Sequence, residues 1–142
     1  VCMVGHGVYK GSMESLDSFL RTTQIPTITT ARGIACVDHS LENFLGQYSI
    51  FAHESATNLL KQIPQGGILL CLGTSLGEFG TCGHNSLLKD KFQTIIHVDR
   101  DSNVFGRLKS IPTQINIQGD LNNFLSLLNE KLSETNKKIP NC

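Results

Sequence analysis

Residues 68–75 read Ile-Leu-Leu-Cys-Leu-Gly-Thr-Ser, an unbroken apolar run that stops at a glycine followed by two hydroxyl residues. Runs that are apolar throughout, rather than alternating with polar residues, are typical of strands buried on both faces of a sheet. The chain carries further strand-like segments at 1–5, at the β-branched stretch 25–30, at 94–98 and at 113–117. The pattern therefore predicts a buried strand at 68–72 and neighbouring strands elsewhere in the chain.

Amphipathic segments separate these strands. Apolar residues recur at helical spacing in three segments, at 13–20, 52–63 and 121–132. A fourth, short helix is predicted around Val104, Phe105 and Leu108. Alternation of buried strands with amphipathic helices predicts an α/β fold with a doubly wound, mainly parallel sheet and helices on both faces.

Three polar residues are placed to cap these helices. Ser12, Asp101 and Asp120 each stand directly before a helical segment, and their side-chain oxygens are predicted to accept a hydrogen bond from the first turn. After the last helix the chain becomes polar. We therefore expect one domain at 1–133 and a frayed polar tail or linker at 134–142.

Composition excludes several classes of protein. The 142 residues carry 12 basic and 12 acidic side chains, so the formal net charge is zero, and a nucleic-acid binder with its basic face is not expected. No apolar run approaches the ~18 residues of a membrane span, and no signal peptide is visible. Because the chain opens on Val1 inside a strand, without an initiator Met, we expect a piece of a longer protein.

The cysteines do not indicate a disulfide framework. They number five and lack C-x-x-C spacing, which favours a reducing, cytoplasmic setting. Two of them, Cys2 and Cys71, lie inside apolar runs and are predicted to be small buried side chains.

Polar and glycine residues collect where the strands end. In an open α/β sheet, ligands bind outside the carboxyl ends of the strands, which here carry glycines, hydroxyls and acids. The standard fingerprints fail, however. Gly5, Gly7 and Gly11 are spaced one residue too far for G-x-G-x-x-G, and the loop after Leu72 lacks the G-K-[ST] of a P-loop. An ordinary NAD or ATP site is not expected.

Other constellations are incomplete. Cys82 with His84 lacks partners at metal-site spacing, and a small hydrolase using Cys82 or Ser75 as nucleophile would need a histidine and an oxyanion donor that the sequence does not place. Asp38 with His39 forms an acid–histidine sequence pair without an identified nucleophile. His97 lies inside an apolar strand and is interpreted as a core histidine.

The ordered set of segments resembles one known family. The matching segments are Val4-Gly5-His6-Gly7, 25–33, 38–41 leading to Leu45-Gly46, 70–77, 96–101 with Gly106-Arg107, and 117–120. In this order and spacing they resemble the central domain of thiamine-diphosphate-dependent enzymes, the superfamily of acetolactate synthases and 2-oxo-acid decarboxylases. The resemblance covers nearly the whole chain.

The resemblance implies a six-stranded parallel Rossmann-like sheet that does not itself catalyse a reaction. In the family, pyrimidine-binding and diphosphate-binding domains of the same chain hold thiamine diphosphate and Mg²⁺, and the parent is a lyase or transferase, generally a homo-oligomer. Neither flanking domain is visible in this sequence. The resemblance therefore implies a scaffold domain with no catalytic or metal-binding residue of its own, in a cytoplasmic parent enzyme.

In some members this domain binds FAD or ADP. Carried over residue by residue, that nucleotide site is implied at Thr30, Ala31, Gly73, Thr74, Ser75, Asp99, Asp101, Gly119 and Asp120.

Two departures and two cations bear on this nucleotide site. The chain has Ser49 where many members have glycine, and Ser102 where proline is usual. Arg32 and Arg100 would supply positive charge to a diphosphate. The alternative to a scaffold domain of a larger enzyme is a different class of protein, a free-standing FAD-, ADP- or NAD-binding module of the same fold.

Overall fold

The sheet contains six strands, all parallel. The computed structural model describes residues 1–9, 11–49, 52–77 and 86–138. Within these ranges the strands are β1 (Cys2–Val4), β2 (Thr27–Thr29), β3 (Phe44–Gln47), β4 (Gly67–Leu72), β5 (Phe92–Asp99) and β6 (Thr113–Gln118). Their order across the sheet is β3-β2-β1-β4-β5-β6, and every neighbouring pair is parallel. The predicted parallel sheet is confirmed.

Helices cover both faces of this sheet, as predicted. In the described ranges they are α1 (Met13–Thr23), α2 (Glu54–Gln62), α3 (Ser86–Lys91) and α4 (Leu121–Lys138). Because side chains of a strand alternate between faces, Cys2 and Val4 pack in one apolar cluster with α1 and α4. Met3 between them packs in a second cluster with α2 and α3. The fold is a doubly wound, Rossmann-like α/β domain.

The strand order places a switch point between β1 and β4. The chain winds outward from β1 through β2 to β3, then crosses to β4 and winds the other way through β5 to β6. The connections that leave β1 and β4 therefore diverge to opposite sides at the carboxyl edge of the sheet. A crevice opens where connections diverge in this way, and it is the usual ligand site of such folds.

Two cysteines sit in the middle of the sheet. Cys2 on β1 and Cys71 on β4 are fully buried, and they belong to the apolar clusters on opposite faces. Their thiols therefore point away from each other. Burial raises the pKa of Cys2 to about 12 and that of Cys71 well above its usual range. Both act as small buried apolar side chains, as predicted.

Three local predictions differ from the structure. The short helix around Val104 and Leu108 is only a single 3-10 turn at Ser102–Val104, because Gly106 adopts φ +78, outside the helical region. Ser12 stands at the start of α1 but makes no side-chain capping bond, since its backbone is already helical rather than extended. Residues 134–138, expected to be frayed, continue α4.

Candidate functional site: a cavity at the switch point

A cavity of about 470 Å³ lies at the carboxyl edge, where the turns after β1, β2, β4 and β5 converge. Its size is within the range of small-molecule pockets, roughly 300–1,000 Å³. Seven of the nine residues predicted from the resemblance line it: Thr30, Ala31, Gly73, Thr74, Ser75, Asp99 and Asp101. The structure thus brings these seven residues together around one space.

Sequence reasoning did not single out Gly77 and Val104 as lining residues of this cavity. Gly77 follows the turn after β4, and Val104 belongs to the 3-10 turn after β5. Val104 carried an apolar signal that was interpreted as helix core.

The other two predicted residues, Gly119 and Asp120, lie outside this cavity. Asp120 lines an adjacent cavity of about 350 Å³, which shares Gly7 and Asp99 with the first. There Arg100 Nη2 lies 2.6 Å from Asp120 Oδ2. Of the two arginines expected to supply charge, Arg100 is therefore paired beside the main cavity, and only Arg32 lines it.

Asp120 is also a helix cap, as predicted. Its Oδ1 accepts a hydrogen bond from the backbone N–H of Asn123 at 3.0 Å, in the first turn of α4. This bond, together with the contact to the Arg100 guanidinium, holds the pKa of Asp120 below its usual value. One carboxylate oxygen of Asp120 therefore caps α4, and the other pairs with Arg100.

Close packing between backbones explains the glycines of the β1 and β4 turns. A Cβ placed on Gly5 would meet the carbonyl oxygen of Gly73 and would lie 2.6 Å from the Cα of Thr74. A Cβ on Gly7 would lie 2.8 Å from the Cα of Gly73. Gly7 N also donates to Gly73 O at 2.8 Å, and Gly73 has φ +61. These glycines let two turns interlock, which fixes the wall of the cavity.

The two threonines of the cavity wall use their hydroxyls to shape turns. Thr30 Oγ1 accepts from Gly33 N at 3.1 Å, and Thr74 Oγ1 accepts from Leu76 N at 3.2 Å. Leu76 is held at φ +49, an uncommon conformation for a residue other than glycine. Both hydroxyls already serve the protein backbone, so they hold the turn conformation that the cavity requires.

His97 holds the turn after β4 through a hydrogen bond, although it does not line the cavity itself. It lies on β5, is 1% exposed, and its Nε2 donates to the carbonyl oxygen of Thr74 at 2.7 Å. Its ring also packs edge-on against Phe105. Burial lowers the pKa of His97 below its usual value, so the ring stays neutral at neutral pH. The interpretation of His97 as a core histidine is confirmed.

Besides the imidazole of His6 and the hydroxyl of Ser75, the cavity is lined by two carboxylates and one guanidinium. Asp99 Oδ1 accepts from Asp101 N at 2.9 Å, and Asp101 Oδ1 accepts from Asn103 N at 3.0 Å. Each carboxylate thus uses one oxygen to form the turn. No ion pair involves Arg32 in the described part of the chain. The cavity therefore offers one cation for an anionic group and two acids that can accept hydrogen bonds from hydroxyls.

The acid–histidine pair Asp38 and His39 does not form. Asp38 Oδ2 pairs with Arg21 Nη2 at 2.7 Å, and His39 Nε2 lies 2.8 Å from the carbonyl oxygen of Ile34. A hydrogen bond from Ser40 N and the contact with Arg21 lower the pKa of Asp38. Asp38 therefore tethers the segment after β2 to α1.

Three further sequence predictions concern Ser49, the pair Cys82 and His84, and metal binding. Ser49, which replaces a family glycine, is buried, accepts from Gln47 Nε2 at 2.6 Å and does not line the cavity. Cys82 and His84 lie outside the described residues. Within the described ranges, no three His, Cys, Asp or Glu side chains are grouped to hold a metal ion.

A parallel doubly wound sheet, with a cavity built from its turns at the switch point, defines the class of Rossmann-like α/β ligand-binding folds. The family model for the central domain of thiamine pyrophosphate enzymes matches residues 1–128. The chain belongs to this family, and the resemblance inferred from its sequence motifs is confirmed. A comparison with curated protein sequences gave no significant match. None of the helices in the described ranges has the length and apolar character to cross a membrane.

Proposed function

We propose that this chain is a non-catalytic scaffold domain of a thiamine-diphosphate-dependent lyase or transferase that acts on 2-oxo acids, such as an acetolactate synthase or a decarboxylase. We further propose that its switch-point cavity binds the diphosphate of a nucleotide such as ADP or FAD. The observation that carries the nucleotide proposal is the convergence of four turns on one cavity of about 470 Å³.

The cavity has groups suited to a nucleotide. The Arg32 guanidinium would hold the diphosphate, because it lines the cavity and no partner of it occurs among the described residues. Asp99 and Asp101 would accept hydrogen bonds from ribose hydroxyls through their second carboxylate oxygens. Bound FAD would supply redox chemistry, whereas ADP would supply only a structural link between turns.

Thiamine diphosphate does not fit the described residues in the same way. That cofactor supplies an electron sink for reactions of 2-oxo acids and is held through a metal, but the described ranges contain no group of metal-ligating side chains. We propose that Mg²⁺ and thiamine diphosphate are held by the pyrimidine-binding and diphosphate-binding domains of the parent chain. The contribution of this chain would be to order those domains.

An apolar groove near the amino ends of the strands, across the sheet from the cavity, supports a role in contact with other domains. The groove measures about 510 Å³ and lies between α4 and the amino ends of the central strands. Within it Ile68 is 54% exposed, and apolar surface left open to solvent is typical of interaction sites. Its nine lining residues are all apolar: Val1, Phe19, Ile25, Ile68, Leu70, Ile96, Phe124, Leu128 and Leu132.

Titration calorimetry of the chain with ADP and with FAD tests the nucleotide proposal. We expect binding by the unchanged chain and about tenfold weaker binding, or 1.4 kcal/mol, for Arg32→Ala and for Asp99→Asn. Lys89→Ala, an exposed cation on α3 outside the cavity, is the matched control and should bind as the unchanged chain does. Absence of heat with both nucleotides would refute the proposal. Decarboxylation of a 2-oxo acid by the chain alone would refute its scaffold role.

A further inference from the structure

The outer side of β6 is an open sheet edge. Within the described ranges, β6 pairs with β5 only and ends the strand order. Open edges usually carry lysine, proline or a bulge, which prevent pairing with another chain. The other edge strand, β3, is protected in this way, since it has four residues, Gly46 at φ +99 and a shifted register with β2. By contrast, the six residues of β6, Thr-Gln-Ile-Asn-Ile-Gln, include no charge, proline or glycine.

The hydrogen-bonding direction of β6 follows from its last contact with β5. Gly119 N, directly after the strand, donates to Asp99 O at 3.0 Å and therefore points toward β5. Backbone groups of successive residues point alternately to the two sides of a strand. Odd-numbered residues of β6 thus face β5. The N–H and C=O groups of Gln114, Asn116 and Gln118 face the open side.

The sequence of this open edge is a palindrome. Residues 114–118 read Gln-Ile-Asn-Ile-Gln, which is the same in both directions. In an antiparallel pair related by a two-fold axis through Asn116, every residue lies opposite one of its own type. Asn116 lies opposite Asn116 of the second copy, Ile115 opposite its Ile117, and Gln114 opposite its Gln118. We propose that two copies of this chain join through β6 in this register, forming one continuous sheet.

The register satisfies the backbone and the side chains together. Asn116 and the two glutamines, whose backbone groups face outward, become hydrogen-bonded pairs, with about six inter-chain N–H···O bonds in all. The isoleucines become the non-hydrogen-bonded pairs, in which side chains approach most closely. Ile115 is 45% exposed in the single chain, so pairing covers an apolar side chain that the fold leaves in water. No charged residue is brought opposite a like charge within the strand.

Helix α4 adds exposed apolar surface close to this edge. Ser15 of α1 contacts Asn122, Ser126 and Asn129 of α4. At 100° per residue, Leu127 falls on the side of α4 away from those three residues. It is 61% exposed, and α4 begins three residues after β6 ends. An apolar strip formed by Ile115, Ile117 and Leu127 would therefore continue across the two-fold axis.

Proline at position 116 tests the proposed interface with little effect on the rest of the sheet. Because Asn116 N–H faces away from β5, Asn116→Pro removes one interface bond from each chain, two of about six in the dimer, and none of the β5–β6 ladder. In sedimentation velocity over a wide range of concentration, we expect reversible dimers of the 142-residue chain and of the control Asn116→Thr, and monomers of Asn116→Pro. If Asn116→Pro fails to fold, Asn116→Lys, which places two ammonium groups face to face, should likewise be monomeric.

Cysteine cross-linking tests the register itself. The Cα atoms of an antiparallel hydrogen-bonded pair lie about 5.5 Å apart, within the roughly 4.4–6.8 Å that a disulfide spans. In a chain with Cys82 and Cys142 replaced by serine, we expect Asn116→Cys to oxidise to a covalent dimer. Thr113→Cys, which would lie opposite Gly119 of the second copy, should not. A monomer at every concentration, a dimer that persists with both proline and lysine at 116, or equal cross-linking by the two cysteine variants would overturn the proposal.

Discussion

Replacing His97 with phenylalanine should reduce the stability of the fold and its dependence on pH. The ring is 1% exposed and donates to the carbonyl oxygen of Thr74, itself 3% exposed. Phenylalanine preserves the ring contact with Phe105 but leaves that carbonyl without its donor. An unsatisfied buried acceptor costs about 1–3 kcal/mol. We expect His97→Phe to lower the free energy of unfolding by that amount at pH 7.5.

The pH dependence has a definite sign. Burial lowers the pKa of His97 in the folded chain below its unfolded value of 6.5. As the pH falls below 6.5, the unfolded chain takes up this proton before the folded chain does, so the folded state is disfavoured. The contribution is fully present above pH 6.5 and declines toward the folded-state pKa, by at most about 1.4 kcal/mol per pH unit.

Urea unfolding at several pH values between 7.5 and 5 measures both effects. The unchanged chain should lose stability progressively below pH 6.5, and His97→Phe should lose less over the same interval. His6→Gln, a change at an exposed histidine, is the control and should retain the slope of the unchanged chain. An equal slope in His97→Phe and the unchanged chain would refute the argument that burial of this ring depresses its pKa.

Two further predictions concern the turns of the carboxyl edge. Gly5→Ala should destabilise the fold strongly, since its Cβ would overlap Gly73. Gly11→Ala, at φ +92 in open space, should cost only about 1–2 kcal/mol for the left-handed backbone, and thermal unfolding of both variants compares them directly. Asp120→Asn should weaken the acid sensitivity of the fold, because the lowered pKa of Asp120 gives stability above its unfolded pKa that is lost as the pH falls through the folded value. Unfolding titrations between pH 5 and 2 measure this loss, and an unchanged acid transition in Asp120→Asn would contradict it.

Apolar runs and helical periodicity predicted the elements that carry a clear apolar pattern. The runs that became β1 and β4 have neighbours on both faces, and Leu16 and Leu20 of α1 are fully buried at helical spacing. Elements without that signal were found less well. The strand β3, Phe-Leu-Gly-Gln, contains a glycine and is only four residues long, so local pattern alone did not indicate it. The short helix α3 was likewise not predicted from the spacing of its apolar residues.

For the candidate site, the sequence predicted most of the lining residues but not their roles. Strand ends and the family resemblance identified seven lining residues, because sequence position determines which turns share an edge. Sequence did not predict what each residue does there. The resemblance implied Gly73 as a residue of the nucleotide site, yet its missing Cβ makes room for Gly7. Gly73→Val would therefore disrupt the turns themselves and is a poor test of ligand binding, whereas Arg32 and Asp99 can be changed without backbone overlap.

The interlocked turns also constrain the order of folding. Gly5 and Gly73 meet only when β1 has paired with β4, and that pairing joins Cys2 to Leu70 across almost half of the chain. Contacts between positions so distant in sequence form slowly, because a long loop must close before they stabilise anything. The cavity wall should therefore form only after β1 and β4 have paired, later than local structure such as α1. A ligand of this cavity would bind selectively to chains in which the centre of the sheet is already complete, and so would slow unfolding rather than accelerate folding.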